Sequence, residues 1–406
     1  VIYNNVVPQT DGWIKISAGK LVREGNQKQI RQTTLAQQLL TGGGEADYLI
    51  FKDQISGLQF LRPCSQLRSN GLHFHLNGYE SHVFLDFRQV TPDAWHAYGK
   101  LYALIGENGI PDIETGLASL LIQPILNAAT DLLTPQHLHS LMAVSPAIDS
   151  TELVLPAETP RLVSTLLQAI CQTTGLSSDV ELNTQRVLNS IRAVLTLRDL
   201  HLKFQGSAFP AAAEFATEIS NRLQPSNLEL PAILIFAMVQ SLGSLKDPSQ
   251  NAEISTLWFD EWQLSRLARE SLQSMGADAD QAEQMVNDIR LSIAMQDWYA
   301  QTRDLEFPVI LQDWLNNPEL QHFLKVNRFE DQVWFDADAF EHFEVLLEVL
   351  PIFAILRQPH DDAANFVETL LGTREILTRL HTARLKSDYK LDQLLEAAKS
   401  AEDTKD

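Results

Sequence analysis

Acidic side chains are the best candidates for chemistry in this sequence, since 52 of its 406 residues are Asp or Glu. One short segment holds five of them: Asp336, Asp338, Glu341, Glu344 and Glu348. The last four recur every three or four residues and therefore share one face of a predicted helix. Carboxylates in that arrangement could bind a metal ion or exchange protons with a substrate.

The same segment has a simpler interpretation as the water-facing side of a helix. Asp338 and Glu341 have the spacing of a capping box, with the aspartate as N-cap. The opposite face carries the apolar residues Phe340, Phe343, Leu347 and Leu350. Because a surface helix has one apolar face and one charged face, we predict that these carboxylates are solvated.

Histidines offer two further patterns for a metal site. A ferritin-like di-metal site needs two Glu-x-x-His pairs, and this chain has only Glu319-x-x-His322. His73 and His75 lie on the outer face of a predicted strand and His82 on the next one, so three imidazoles could bind zinc if they converged. Polar residues on the exposed face of a half-buried sheet give the same pattern without a metal. We therefore predict no metal and no cofactor.

Motifs for nucleophilic catalysis or phosphate binding do not occur in the sequence. It has no Gly-x-Ser-x-Gly elbow, no Gly-x-x-x-x-Gly-Lys-Ser/Thr loop and no Gly-x-Gly-x-x-Gly loop. Three consecutive glycines at 42–44 precede Glu45 and Asp47, whose charge would oppose a phosphate. The sequence therefore predicts no catalytic residue.

Two aromatic residues remain as candidates for carbohydrate binding. Trp13 follows an Asp-Gly turn and Tyr79 follows an Asn-Gly turn, so each ring is predicted near the end of a strand. An exposed flat ring can stack on the apolar face of a sugar, although core packing is the more common role of Trp and Tyr. Trp258 and Trp262 share one helical stripe, which is typical of a bundle core.

The periodicity of the hydrophobic residues changes near Pro92 and divides the chain into two parts. Before it, a period of two predicts strands at 2–7, 13–17, 29–33, 48–52, 58–61, 72–76 and 82–87, with short helices at 35–40 and 65–68. In the last strand, this rhythm places Val83, Leu85 and Phe87 on one face and Phe84 on the other. After Pro92 the period is helical, with one long helix predicted over 254–275 and a single strand signal at 333–335.

These patterns predict an α+β protein in two segregated domains. Residues 1–90 form a small antiparallel β-sandwich, and residues 91–400 form a large irregular all-α bundle. A break between two sub-bundles would fall near 149–160 or 246–251. Residues 401–406 are predicted to be a disordered tail.

Charge and cysteine content restrict the partners and the compartment. Residues 1–100 have a net charge of +2 and residues 101–406 a net charge of −23, which together give −21. So acidic a chain repels nucleic acid and anionic membranes, and no apolar stretch reaches the eighteen residues of a membrane span. Cys64 and Cys171 are the only cysteines; we predict two free thiols in a reducing compartment, hence a cytoplasmic protein, although a bridge between them stays open.

Several segments share a pattern with a known family. They are YNN at 3–5, GWI at 12–14, YLIFKD at 48–53, SGLQFLR at 56–62, GLHF at 71–74 and YESHVFLDFR at 79–88. These resemble the β domain that follows the catalytic barrel in a group of large bacterial α-amylase-family proteins. Three later segments, VNR at 326–328, VWF at 333–335 and AFE at 339–341, resemble the helical extension of the same proteins.

The resemblance implies a role with α-glucans but not a catalytic site. The family acts by a retaining two-carboxylate mechanism on a (β/α)₈ barrel of about 250 residues, and the sequence has no such alternation of strands and helices. The resemblance therefore implies a non-catalytic C-terminal accessory region that packs on an upstream catalytic barrel, or on one in a separate chain. Residues 1–3 have the pattern of a strand, which favours a fragment of a larger protein over a processed mature chain.

Two other classes of function stay open. The chain could be a protein-interaction module whose helical domain docks a partner and whose β domain is an adaptor. It could also be an enzyme with an unrecognised site in the helical core, and the test of that hypothesis is whether buried carboxyl groups converge in a pocket. The sequence does not indicate the oligomeric state.

Overall fold

The computed structural model describes residues 1–25, 27–44, 46–92, 97–145, 153–205, 208–302, 305–358 and 363–400. The chain divides into two compact units, residues 1–123 and residues 124–406, and each is described by itself. The predicted tail at 401–406, and most of the first half of the predicted break at 149–160, lie outside the described residues.

Strands occupy the first part of the chain and helices most of the rest. The strands are β1 (Ile2–Tyr3), β2 (Thr10–Ile14), β3 (Lys20–Glu24), β4 (Gln27–Arg31), β5 (Tyr48–Asp53), β6 (Gln59–Pro63), β7 (Leu72–Leu76), β8 (Ser81–His82), β9 (Phe84–Val90), β10 (Asn327–Phe329) and β11 (Gln332–Trp334). The helices up to the middle of the chain are α1 (Leu35–Leu39), α2 (Cys64–Ser69), α3 (Tyr98–Ile105), α4 (Ile113–Leu132), α5 (Pro135–Met142), α6 (Thr159–Thr174), α7 (Val180–Arg198), α8 (Leu200–Lys203), α9 (Pro210–Arg222) and α10 (Glu229–Val239).

The remaining helices complete the second unit. They are α11 (Asn251–Glu261), α12 (Leu264–Ser274), α13 (Ala279–Ala294), α14 (Trp298–Thr302), α15 (Phe307–Asn316), α16 (Pro318–Phe323), α17 (Ala337–Leu356), α18 (Ala363–Lys386) and α19 (Leu391–Ser400). Two short 3₁₀ turns, Leu242–Leu245 and Pro248–Gln250, lie at the predicted break near 246–251. The predicted layout, antiparallel strands followed by a large helical region, is confirmed.

The core of the first unit lies between two antiparallel sheets. One has the strand order β6-β5-β9 and the other pairs β2 with β7. Leu49 and Phe51 of β5 pack with Leu72 of β7 and with Cys64 of α2. Ile50, the residue between the first two, faces the opposite way into a second cluster that includes residues of α3 and α4. Strand β5 is therefore buried on both faces, which explains its unbroken apolar run.

The prediction that Phe84 and Phe87 lie on opposite faces of strand β9 is wrong. Phe84 packs in the core together with Phe87, whereas Leu85 is exposed. The register against β5 shifts between Ile50 and Lys52 of the latter strand, and Asp86 has a φ of 55°. An extra residue of this kind is a β-bulge, which turns the following side chains to the other face.

The second unit is built around helices with few polar positions. Nearly all of helix α10 is buried, and it packs against α7 and α13, as expected for a helix that is apolar all round. Helix α17 packs against α7 and α18. The strand signal at 333–335 corresponds to β11, which pairs with β10 in a hairpin.

Two local predictions in this unit are corrected. The helix predicted over 254–275 is two helices, α11 and α12, because Gln263 between them adopts a left-handed conformation with φ 56°. The N-cap of α17 is Asp336, whose side chain accepts a 2.9 Å hydrogen bond from the amide of Ala339. Asp338 instead lies in the first turn of that helix.

Within the described residues, no single helix is both long enough and apolar enough to cross a membrane. The bent pair Ile113–Leu132 and Pro135–Met142 meets that test of length and composition when its two members are taken together.

Candidate functional site

The two aromatic residues predicted to bind carbohydrate are both accessible but lie apart. The side chain of Trp13 is 47% exposed on β2, and its ring centroid is 4.9 Å from that of His73. Tyr79 is 70% exposed in the turn after β7 and has a φ of 60°. Thr10 pairs with Leu76 at one end of the β2–β7 ladder, and Trp13 lies near the other end. Tyr79 follows the end at Leu76, so the two rings are separated by the length of the ladder. Each ring is open to a ligand, and the two do not form one stacking platform.

Trp258 and Trp262 belong to the core of the helical unit, as predicted. Both are buried, and their rings stack with a centroid distance of 4.2 Å.

The three histidines named from the sequence, His73, His75 and His82, lie beside carboxylates, and Nδ1 of His75 is 4.0 Å from the same Asp11 oxygen that His73 contacts. His73 contacts Asp11 through Nε2 at 2.9 Å and Glu107 through Nδ1 at 2.7 Å. His82 contacts Asp53 through Nδ1 at 2.9 Å and Glu80 at 3.3 Å. Within the ranges given above, the chain has no group of three or more His, Cys, Asp and Glu residues placed to hold a metal ion.

The acidic face of α17 is only partly the solvated surface that the sequence predicts: Asp338 and Glu341 are exposed, whereas Glu344 and Glu348 are not. Glu341 and Glu344 both accept hydrogen bonds from Arg384 of α18, at 2.9 Å and 3.2 Å. Glu348 pairs with Arg222 of α9. The side chains of Glu344 and Glu348 are largely buried, because these arginines hold them against neighbouring helices. The buried stripe on the opposite face of α17 is confirmed.

A cleft in the helical unit is a candidate ligand site that no sequence motif indicated. It has a volume of about 580 Å³ and is lined by residues of α9, α10, α13 and α17. That volume is in the range of small-molecule sites. The apolar lining includes Ile233, Phe236, Met285, Ile289, Val345 and Leu346.

The carboxyl group of Asp288 is the unusual polar group of this cleft. Its side chain is 18% exposed and lies 3.9 Å from Nδ1 of His342. The side-chain amide of Gln284 donates to it at 3.0 Å. Burial raises the pKa of Asp288 to about 6, and the charge of Glu229 acts in the same direction, against the effects of Gln284 and His342.

The pKa values of two other carboxyl groups in this region are also raised. Burial raises the pKa of Glu229 above its ordinary value, although the charges of Arg222 and His342 oppose the shift. Burial also raises the pKa of Glu348, against the attraction and hydrogen bond of Arg222. A carboxyl group that titrates near neutral pH can hold or release a proton in response to a bound charge.

The cleft was not foreseen from the sequence, although one signal was present. Met285, Ile289 and Ser292 line one side of α13, and Asp288 falls within that stripe. A carboxyl group beside uncharged residues on one side of a helix is a sign of a buried charge. The acidic segment identified from the sequence contributes only Asp336 and Asp338 to the lining.

Replacing Asp288 by Asn is expected to stabilise the protein at high pH. The folded-state pKa of about 6 exceeds the ordinary value of 3.8, so the native state loses stability as the pH rises from about 4 to above 6. Two pKa units correspond to about 3 kcal/mol, and partial exposure reduces this to about 2 kcal/mol. Urea unfolding should therefore show Asp288→Asn to be about 2 kcal/mol more stable at pH 8 and no different at pH 4.

An exposed aspartate of the same unit provides the control. Asp313 lies on the surface of α15, so Asp313→Asn removes the same charge and should leave the stability unchanged at both pH values. Equal stability of Asp288→Asn and the native protein at pH 8 would contradict the burial argument.

Comparison with known proteins gave no match. No family model matches the chain, and neither a curated protein nor a solved structure is significantly similar to it. The family resemblance of the β domain and of the segments at 326–341 therefore rests on the residues quoted for it and stays a prediction.

Proposed function

We propose that the chain is the non-catalytic accessory region of an α-glucan-acting glycosidase, with the catalytic barrel upstream or in a separate chain. In this proposal the first unit packs on the barrel and the helical unit shapes the enzyme. The sequence patterns at 3–88 and 326–341 support the family. The strand pairings of the described residues support the lack of a barrel in this chain, since they are all antiparallel and a (β/α)₈ barrel is parallel.

The exposed indole of Trp13 is the observation that carries the link to glucans. It stands on a sheet whose other face is packed, and one side of its ring lies against His73, with ring centroids 4.9 Å apart and an interplanar angle of 44°. A ring fixed in this way loses little conformational freedom when it stacks on a sugar. Tyr79 is a second accessible ring, at a separate position.

Removal of the Trp13 ring is expected to weaken retention on immobilised amylose. Loss of one stacked ring corresponds to about a tenfold drop in affinity, so Trp13→Ala should elute clearly earlier than the native protein in affinity electrophoresis or chromatography. The matched control is Phe329→Ala, which removes an even more accessible ring, 67% exposed, from the β10–β11 hairpin and should leave retention unchanged.

Two results would contradict the proposal. One is the absence of any retardation of the native chain by amylose, since the link to glucans then has no support. The other is turnover of maltooligosaccharides by the isolated chain, which would show that it carries a catalytic site of its own.

A further inference from the structure

The cleft in the helical unit combines apolar walls with an excess of acidic groups. Ile233 and Phe236 of α10, Met285 of α13, and Val345 and Leu346 of α17 form the apolar part. Phe236 is buried and the other four are partly exposed, so they present an apolar surface to whatever enters. Such a surface favours a ligand with an aliphatic or aromatic body.

The arginine and the lysine that line the cleft already pair with carboxylates. Arg222 pairs with Glu348, and Lys325 lies 3.6 Å from Asp336. Four other lining carboxyl groups are not in an ion pair with an arginine or lysine in the part of the chain that the structure describes; they are Glu229, Asp280, Asp288 and Asp338. The free charge of the cleft is therefore negative.

Helix ends account for three of these carboxyl groups but not for the fourth. Glu229, Asp280 and Asp338 lie in the first turns of α10, α13 and α17, where the helix dipole favours a negative charge. Asp288 lies in the interior of α13, where this effect is absent. Its contacts are one amide donor and an exposed histidine at 3.9 Å, which is too long for a hydrogen bond.

We propose that this cleft binds a small organic cation, with an ammonium group at Asp288 and an apolar body along Ile233 and Val345. A bound ammonium supplies the hydrogen-bond donors and the opposite charge that Asp288 lacks. The groups that face Asp288 from the neighbouring helices are Glu229 of α10, Arg222 of α9 and His342 of α17. Arg222 is held by Glu348, which leaves the ammonium free to approach the aspartate.

Three ligands with the same alkyl chain test the charge preference on the full chain. Octylammonium chloride, 1-octanol and sodium octanoate are titrated at pH 7.5 and 0.15 M salt by calorimetry, since this ionic strength weakens nonspecific attraction to an acidic protein. The ammonium should bind one site about tenfold more tightly than the alcohol, and the carboxylate should bind most weakly. No saturable binding of the ammonium, or octanoate binding as tightly as octylammonium, would overturn the proposal.

Variants locate the binding to the cleft. Asp288→Asn keeps the shape of the side chain and its bond from Gln284, so the variant should fold; it should lose about tenfold in affinity for octylammonium while its affinity for octanol is unchanged. Ile233→Trp should weaken both ligands by filling the apolar part. Asp313→Asn removes an equal charge from the surface of α15 and should have no effect. Equal losses in Asp288→Asn and Asp313→Asn would show nonspecific attraction and overturn the site.

Discussion

Asp53→Ala is expected to destabilise the first unit by about 3–4 kcal/mol. The carboxylate is fully buried at the end of β5 and accepts hydrogen bonds from the amides of Ile55, Ser56 and Val83 and from the Ser56 hydroxyl. Nδ1 of His82 lies 2.9 Å from it. Alanine removes the buried acceptor that these donors share; the Val83 amide and the His82 ring are partly buried, so water does not fully replace it.

The same network makes this unit sensitive to acid. Burial raises the pKa of Asp53, but the hydrogen bonds from Ser56, His82 and Val83 outweigh it and leave the pKa well below its ordinary value of 3.8. A carboxyl group with a lowered folded-state pKa contributes its stability above about pH 4 and loses it as the pH falls toward that lowered value. The native protein should therefore lose stability below pH 4 more steeply than Asp53→Ala.

A buried thiol in the same core reports this stability directly. Cys64 is fully buried, and burial raises its pKa to about 11, so it reacts only when the unit opens. In a Cys171→Ser background Cys64 is the one remaining thiol. Its alkylation rate in native buffer should rise by more than a hundredfold in Asp53→Ala, as 1.36 kcal/mol corresponds to a factor of ten.

Asp11 provides the matched control for this experiment. Its carboxylate also contacts a histidine, His73, but it is largely exposed, and exposed pairs contribute about 0–1 kcal/mol. Asp11→Ala should change the alkylation rate of Cys64 by less than about fivefold. A similar increase in both variants would show that burial of the Asp53 network does not determine stability.

Much of the fold could be predicted from the periodicity of the hydrophobic residues. The predictions that were wrong have local causes. The change from a period of two to a helical period near Pro92 separates strands from helices because each period buries one face of its element. The bulge at Asp86 and the break at Gln263 were not predicted. Both depend on a left-handed backbone at a residue other than glycine; aspartate adopts this conformation more often than most residues, but glutamine gives no such signal at position 263.

The site could be predicted less well than the fold, because it depends on which helices meet. Asp288 and His342 are 3.9 Å apart in space but lie on α13 and α17, and no short motif links them. The carboxylates of α17 looked solvated because Arg384 and Arg222, which bind them, come from other helices. Periodicity identifies the face of a helix, whereas the partner of that face is set by packing.

Arg384→Met is expected to destabilise the helical unit by about 3 kcal/mol. The guanidinium group is only 5% exposed and joins α18 to α17 through Glu341 at 2.9 Å and Glu344 at 3.2 Å. Methionine keeps an unbranched apolar stem but leaves the largely buried Glu344 with His381 as its remaining partner. An unpaired buried charge is strongly destabilising, and most of the seven tryptophans lie in this unit, so urea unfolding followed by tryptophan fluorescence measures the loss.

A second arginine on the same helix distinguishes burial from charge. Arg379 is 23% exposed and forms an i,i+4 pair with Glu375, whose carboxylate is 58% exposed; because Arg379→Met leaves that carboxylate in water, it should cost less than about 0.5 kcal/mol. The double variant Arg384→Met/Glu344→Gln should recover part of the loss, because it removes the unpaired charge while the buried polar group persists. If the two single arginine variants lose equal stability, or if Glu344→Gln gives no recovery, then the cost arises from lost packing of the arginine stem rather than from an uncompensated carboxylate.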